Sequence, residues 1–214
     1  KFGGSISSTP TQPTEDPPCA LAPSEPARTR SLKMPFEDIK VPIPAKAANR
    51  PFNRRSRQAP QGLAFTHSMN RDGANHVLLY TLERLIRQGS PVTAIYSPLE
   101  GPMRPDFEAL GVKVHVLPFT EPAFPALFRS LKADYVICNT MFRCDCICLA
   151  AEIGLPSMWV IHEAWTEKRI YELAAQRQLD LAKTRHAFTR CDKLVFVSKM
   201  QEEFYKKMFV IPQS

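Results

Sequence analysis

Short apolar segments alternate with amphipathic helical segments over most of this chain, and several helical segments stop at a glycine. Gly89, Gly111 and Gly154 each follow a stretch of helical periodicity and precede an apolar run. Glycine is common just beyond a helix because it adopts positive φ without strain. Repeated alternation of strand and helix predicts a parallel sheet with helices on both faces. We therefore expect a Rossmann-like α/β domain over residues 61–214.

Runs of apolar residues bounded by polar or turn residues predict six strands. These cover Leu63–His67, Pro91–Tyr96, Val112–Leu117, Tyr135–Cys138, Ser157–Ile161 and Leu194–Val197, and a seventh is expected to begin at Val210. Helical spacing of apolar residues predicts helices at Ala74–Gln88, Pro105–Leu110, Ala123–Lys132, Arg143–Ile153 and Lys199–Met208, with one or two more within residues 166–189. The helices thus connect successive strands, as a parallel sheet requires.

Residues 1–60 differ in composition from the rest of the chain. They contain 11 of the 20 prolines, ten Lys and Arg against five Asp and Glu, and no periodic apolar face. Such a segment cannot bury enough apolar surface to offset its ordering entropy, so we expect a disordered Pro/Arg-rich tail or linker. Its basic charge suits peripheral contact with a membrane surface. The nearly neutral remainder does not favour nucleic-acid binding.

Six cysteines are present, but their spacing does not fit a metal site. Cys144, Cys146 and Cys148 lie close together, yet no Cys-x-x-Cys pair and no second ligand cluster at zinc-finger spacing occur. We expect small, buried apolar residues with reduced thiols, which is typical of a cytoplasmic protein. No apolar run reaches the roughly 18–20 residues that cross a bilayer. Neither a metal nor another cofactor is expected.

Polar residues stand where predicted strands end. The apolar strand Ser157–Ile161 stops at His162 and Glu163, and the strand before it stops at Asn139. The carboxyl ends of parallel strands share one edge of the sheet, and open α/β sheets bind ligands at that edge. His162 is therefore a candidate site residue. The alternative is that His162 is a hydrogen-bonded core histidine and Glu163 a helix cap.

The loop after the first strand reaches the same edge. It ends at Gly73, at the predicted start of a helix, where backbone N–H groups can approach a phosphate closely. An ordinary tight turn explains a single glycine about as well. The sequence contains no Gly-x-Gly-x-x-Gly fingerprint, nucleophile elbow, Walker loop or His-Glu-x-x-His motif. Nicotinamide enzymes, hydrolases of that type, nucleoside triphosphatases and zinc proteases are therefore not favoured.

Four segments follow one another in a specific order. They are Asp72-Gly-Ala74 opening a helix that carries Leu78-Leu79 and Leu82-Glu-Arg-Leu85, then Leu99–Phe107 before Leu110-Gly-Val-Lys-Val114, then Ile161-His-Glu163, and finally Val195-Phe-Val-Ser198. In this order they resemble the N-terminal, acceptor-side domain of family 4 retaining glycosyltransferases of the GT-B fold. The resemblance implies transfer of a hexose from a UDP- or GDP-linked sugar to a glycan, lipid or other acceptor, without a bound metal.

The resemblance also implies roles for individual residues. In the family, a glycine–alanine loop lies near the donor phosphates, and a histidine ending a late strand faces the transferred sugar. Gly73 and Ala74 match the first position, and His162 matches the second as the catalytic residue. The remaining residues predicted to bind substrate lie at the same edge of the sheet: Asn70, Asn75, Asn139, Arg143, Glu163 and Ser198.

One part of the family pattern is missing. The donor-binding half of these enzymes carries two glutamates eight positions apart, whereas Glu163, Glu167 and Glu172 have no glutamate eight positions later. We therefore expect a fragment, whose C-terminal donor domain lies elsewhere in the full-length chain and which is inactive alone. The alternative is a non-catalytic Rossmann-like binding module or adaptor.

Overall fold

Six parallel strands form one sheet in the computed structural model, which describes residues 59–119 and 122–211. The strands are β1 (Gly62–Phe65), β2 (Val92–Ser97), β3 (Lys113–Val116), β4 (Tyr135–Asn139), β5 (Ser157–Ile161) and β6 (Lys193–Phe196). Their order across the sheet is β3-β2-β1-β4-β5-β6, and every neighbouring pair is parallel. The predicted Rossmann-like α/β fold is confirmed. The prediction for residues 1–58 lies outside the described residues.

Seven α-helices and one 3-10 helix connect or follow these strands in the described part of the chain. They are α1 (Gly73–Arg87), α2 (Arg104–Ala109), α3 (Ala123–Ser130), the 3-10 helix Met141–Arg143, α4 (Cys144–Glu152), α5 (Glu167–Ala175), α6 (Leu181–Arg190) and α7 (Lys199–Met208). Residues 166–189 thus hold two helices. None of the helices in residues 59–119 and 122–211 is long and apolar enough to cross a membrane.

Most boundaries differ from the predictions by one or two residues, and three of the differences in the sheet are as follows. β1 ends at Phe65, and the side chain of the next residue, Thr66, donates to Oδ1 of Asn75 in α1. His67 therefore lies beyond the strand. β3 is shorter than predicted at both ends. Val210 and Ile211 are not part of a strand, so the expected seventh strand does not begin at Val210.

The two faces of the sheet carry separate apolar cores. α1 and α2 cover one face, where Leu78, Leu82 and Phe107 pack with Ala64 and Ile95. The other five α-helices cover the second face, whose core includes the buried cysteines 138, 144 and 146. The prediction of small buried residues is confirmed for Cys144 and Cys146, whereas Cys148 is only partly buried.

The strand order places a topological switch point at the carboxyl edge of the sheet. The chain moves outward from β1 to β2 and β3, then returns to place β4 on the other side of β1. The loops that follow β1 and β4 therefore leave the sheet in opposite directions. Open α/β sheets bind ligands at such a switch point. Residues that follow β1, β4 and β5 are the ones positioned to form a site.

Candidate functional site

A continuous chain of hydrogen bonds joins the carboxyl ends of β1, β4 and β5. His162, directly after β5, lies with Nε2 2.7 Å from Oδ1 of Asn139, the last residue of β4. The amide nitrogen of Asn139 donates to Oγ1 of Thr66 and to the carbonyl of Ala74, each over 3.3 Å. Thr66 follows β1, and Ala74 lies in the first turn of α1. Asn139 therefore connects four elements at the switch point.

These contacts assign the tautomer of His162. Because the amide nitrogen of Asn139 donates to Thr66 and Ala74, its Oδ1 faces the imidazole and accepts. Nε2 of His162 carries the hydrogen, and Nδ1 keeps a lone pair. Burial lowers the pKa of His162 to about 4, although the charge of Asp72 acts in the opposite direction. The ring is neutral at pH 7 and can accept a hydrogen bond from a ligand through Nδ1.

The loop between β1 and α1 is organised around the side chain of Asn75. Oγ1 of Thr66 donates to its Oδ1 over 2.7 Å, and its Nδ2 donates to the carbonyls of Ser68 and Asn70 over 2.9 Å each. The side chain is fully buried. Both ends of the amide are thus engaged within the loop, and Asn75 shapes the loop from inside. Asn70 itself is exposed.

Gly73 is the first residue of α1, and nothing in the described part of the fold requires glycine at this position. Asp72 is the N-cap residue, and its carboxylate accepts from the backbone N–H of Asn75 over 2.8 Å. Gly73 does not have positive φ, and a Cβ atom added there would meet no atom within 4 Å. The backbone N–H groups of Gly73 and Ala74 bond to no acceptor among the described residues. The start of α1 is therefore open and rich in unpaired donors.

The carboxylate of Glu163 is directed into the protein. It accepts from the backbone N–H of Met141 over 3.0 Å and from that of His162 over 3.1 Å. Burial raises the pKa of Glu163, while these N–H groups lower it. Its carbonyl accepts from Gln201 and Tyr205 over 2.6 Å each. Glu163 thus caps the 3-10 helix and ties the end of β5 to that of β4.

Thr140 has a strained backbone between Asn139 and Met141. Its φ of 75° and ψ of 157° lie in a region that is essentially reserved for glycine. The strain is held in place by the indole of Trp159, which donates to the Thr140 carbonyl over 2.7 Å from a fully buried position. The kink turns the chain from β4 into the 3-10 helix, so that Met141 faces the Glu163 carboxylate.

The other predicted site residues take different positions. Arg143 ends the 3-10 helix, and its guanidinium lies over the ring of Phe119 at 4.7 Å from the centroid. Ser198 is exposed and caps α7 by accepting from the N–H of Gln201 over 3.2 Å. The structure therefore joins His162, Asn139, Ala74 and Asn75 in one network through Thr66. Ser198 connects to His162 only indirectly, through Gln201 and Glu163.

Three functional candidates were not predicted from the sequence. Thr66 and Thr140 belong to the hydrogen-bonded edge, and His67 lies beside it with Nε2 3.1 Å from Oδ2 of Asp72. The available signal was the polar run that follows Phe65, but the run Leu63–His67 was predicted to be strand throughout. Thr140 carries no sequence signal, since a β-branched residue is not expected at positive φ.

A second cleft lies away from this edge. Its volume is about 570 Å³, and its lining includes Leu63, Thr93, Tyr96, Lys113 and Lys132. The lining contains no histidine, carboxylate or thiol. In the part of the chain that the structure describes, no group of three or more His, Cys, Asp and Glu side chains is arranged to hold a metal ion. The carboxyl ends of β1, β4 and β5 therefore remain the candidate site.

No protein-family profile and no curated protein match the chain. Among solved structures, it is similar to Anabaena HepE in complex with UDP and glucose, with a TM-score of 0.47 and 13% identity over 64% of this chain and 44% of that one. It is also similar to Glycyrrhiza uralensis UGT73P12 complexed with glycyrrhetinic acid 3-O-monoglucuronide, with a TM-score of 0.46 and 14% identity over 72% of this chain and 47% of that one. A third is the glycotransferase of kitacinnamycin, with a TM-score of 0.36 and 18% identity over 61% of this chain and 39% of that one. The chain spans less than half the length of each.

Proposed function

We propose that this chain is the acceptor-side half of a retaining glycosyltransferase that moves a hexose from a UDP- or GDP-linked sugar to a glycan or lipid acceptor. The observation that carries the proposal is the open start of α1 at the switch point. Gly73 leaves space there, and the N–H groups of Gly73 and Ala74 have no acceptor among the described residues. A C-terminal donor domain in the full-length protein and a cytoplasmic location belong to the same proposal.

The start of α1 has the properties of a diphosphate site. α1 is 15 residues long, and its first turn contains no acidic side chain. The N-terminus of a helix carries partial positive charge and free N–H groups, both of which favour an anion. Negative charge develops on the nucleoside diphosphate as the sugar leaves. N–H groups already in place would stabilise that charge without reorganisation.

His162 would bind the transferred sugar. Its Nε2 is committed to Asn139, and its neutral ring presents the lone pair of Nδ1. Through that lone pair it would accept from a hydroxyl of the transferred hexose and hold the sugar in a reactive position. Asn139 would act as a positioning residue, because it bonds both to the imidazole and to the carbonyl of Ala74.

A transfer assay tests the proposal. The protein from the complete reading frame is incubated with UDP- and GDP-linked hexoses and a panel of glycan and lipid acceptors, and labelled product is measured. We expect transfer with retention of configuration, and a loss of about 100-fold in His162→Ala, as removal of a positioned polar group typically causes. His186→Ala is a matched control, because His186 lies on the exposed surface of α6.

The assay also distinguishes the proposed enzyme from the alternative, a non-catalytic binding module. Binding of a nucleotide sugar without turnover by the complete protein would favour the non-catalytic alternative. Equal turnover in His162→Ala and the wild type would remove His162 from the site. The 214-residue chain alone is expected to bind ligand without transferring sugar, since the proposed donor domain is not part of it.

A further inference from the structure

Three buried polar side-chain atoms at the carboxyl ends of β1 and β4 have no hydrogen-bond partner among the described residues. They are Nδ1 of His67, Oγ1 of Thr140 and Nη1 of Arg143. Buried polar atoms are nearly always paired, so each exception calls for a water, an ion or a ligand group. The three atoms belong to the segments that flank the switch point, directly after β1 and β4. These three atoms can therefore each take a hydrogen-bond partner that the described residues do not supply.

Arg143 is a largely buried cation whose carboxylate neighbour among the described residues is Asp145. Its side chain is 13% exposed, its guanidinium lies over the ring of Phe119, and its Nε donates to the carbonyl of Phe142 over 2.9 Å. The carboxylate of Asp145 approaches Nε only to 3.7 Å, beyond hydrogen-bond distance. Burying a charge is costly unless it is paired and hydrogen-bonded. The planar guanidinium, with Nη1 unpaired, is suited to a carboxylate or phosphate.

His67 adds an acceptor beside this cation. Its Nε2 lies 3.1 Å from Oδ2 of Asp72, and an ionised carboxylate only accepts, so Nε2 carries the hydrogen. Nδ1 then presents a buried lone pair. The ring of His67 lies 6.5 Å from that of Phe142, the residue before Arg143. Burial lowers the pKa of His67, Asp72 acts in the opposite direction, and the Arg143 charge adds a smaller lowering. A donor for an oxyanion and an acceptor for a hydroxyl are thus neighbours.

We propose that Arg143 and His67 select an acidic, hydroxylated acceptor, with Arg143 binding its carboxylate or phosphate and His67 accepting from a nearby hydroxyl. That this ligand is the acceptor rests on the proposed function, whereas the oxyanion site itself does not. The site lies beside the switch point, because the 3-10 helix that ends at Arg143 is capped by Glu163, next to His162. Charge and hydroxyl together would distinguish a uronic acid or sugar phosphate from a neutral sugar.

Calorimetric titration of the protein tests this site. The probes are D-glucuronate, glucose 1-phosphate, neutral glucose and inorganic phosphate. We expect the two acidic sugars to bind, glucose to bind at least 10-fold more weakly, and Arg143→Gln to lose about 10- to 100-fold, as expected for loss of a charge-assisted hydrogen bond. Arg129→Gln is the matched control, since Arg129 is half exposed and pairs with Glu152. Preference for glucuronate or glucose 1-phosphate distinguishes a carboxylate ligand from a phosphate.

Three further variants test the conclusion. Arg143→Lys keeps the charge and should retain intermediate affinity, which excludes simple unfolding if the urea midpoint is unchanged. Glu121 lies outside the described residues and close to Phe119 in sequence, so Glu121→Gln tests whether its carboxylate is the partner of Arg143. Oxyanion binding that appears only in Glu121→Gln overturns the proposal. The proposal is also overturned if glucose 1-phosphate and inorganic phosphate bind equally well and His67→Gln changes neither affinity. That result would indicate an adventitious ion only.

Failure of this inference is distinguishable from failure of the proposed function. If the complete protein transfers hexose and Arg143→Gln leaves acceptor preference unchanged, the proposed function stands and the acidic acceptor does not. If the acidic sugars bind through Arg143 but no nucleotide sugar is turned over, the oxyanion site stands and the transferase does not.

Discussion

Replacing Gly73 by alanine should stabilise the protein, because no feature of the fold requires glycine there. Gly73 does not have positive φ, its Cβ position is empty out to 4 Å, and it lies in the first turn of α1. A compatible Gly→Ala change adds about 0.4–1 kcal/mol, chiefly by restricting the unfolded chain. For a chain of this size the melting temperature should rise by about 1–4 °C.

Gly101→Ala is the matched control for a glycine that packing does require. A Cβ atom at Gly101 would collide with the backbone carbonyl of Met69. Overpacking typically costs about 1–3 kcal/mol, so the melting temperature should fall by about 2–12 °C. The two substitutions are chemically identical, and the predicted signs are opposite.

Gly73→Val then separates folding from ligand binding. The larger side chain would stand in front of the free N–H groups of Gly73 and Ala74, and should weaken nucleotide-sugar binding by about 10- to 100-fold, as loss of hydrogen bonds to a charged group does. Acceptor binding should change little. The measurements are thermal unfolding followed by circular dichroism and titration of each ligand against the complete protein. A lower melting temperature in Gly73→Ala, or equal losses for both ligands in Gly73→Val, would refute the reasoning and leave Gly73 as an ordinary turn residue.

Two further predictions concern stability. Between pH 6.5 and about 4, His162 is protonated in the unfolded chain but neutral in the folded protein. As the pH falls through that range, this difference should lower the free energy of unfolding by at most about 3 kcal/mol. His162→Gln should flatten that part of a urea-midpoint-against-pH curve, and an unchanged curve would show that the buried neutral ring is not responsible. Arg177→Gly should raise the free energy of unfolding by about 1 kcal/mol, because Arg177 has a left-handed φ of 56° after α5. The urea midpoint should therefore rise while the slope stays unchanged. A lower midpoint would mean that the Arg177 side chain makes a compensating contact.

The fold class could be predicted because it depends on periodicity, whereas the strand order could not. Helices that end near Gly89, Gly111 and Gly154 have their left-handed residue at those glycines, as expected. The return of the chain from β3 to β4 depends on contacts between distant residues, and no local pattern records it. The switch point between β1 and β4 therefore became visible only in the sheet.

The candidate site could be predicted in its position but not in its hydrogen bonds. Asn139 ends β4 and His162 follows β5, so their proximity follows from the geometry of the parallel sheet. The direction of each side chain depends on register and on the rotamer that packing allows. For that reason the inward turn of Glu163, the burial of Asn75 and the strain at Thr140 could not be derived from residue types.

Both tryptophans of the chain lie at this end of the sheet. Trp159 is buried beneath the strained residue and donates to its carbonyl, and Trp165 is partly buried with its ring 5.2 Å from that of Phe142. Intrinsic fluorescence of the unlabelled chain should therefore report on the switch point between β1 and β4. Emission from Trp159 should shift to longer wavelength only when the core opens to water. Emission from Trp165 should respond first to occupancy of the proposed site. A single optical signal can thus follow ligand binding and unfolding separately.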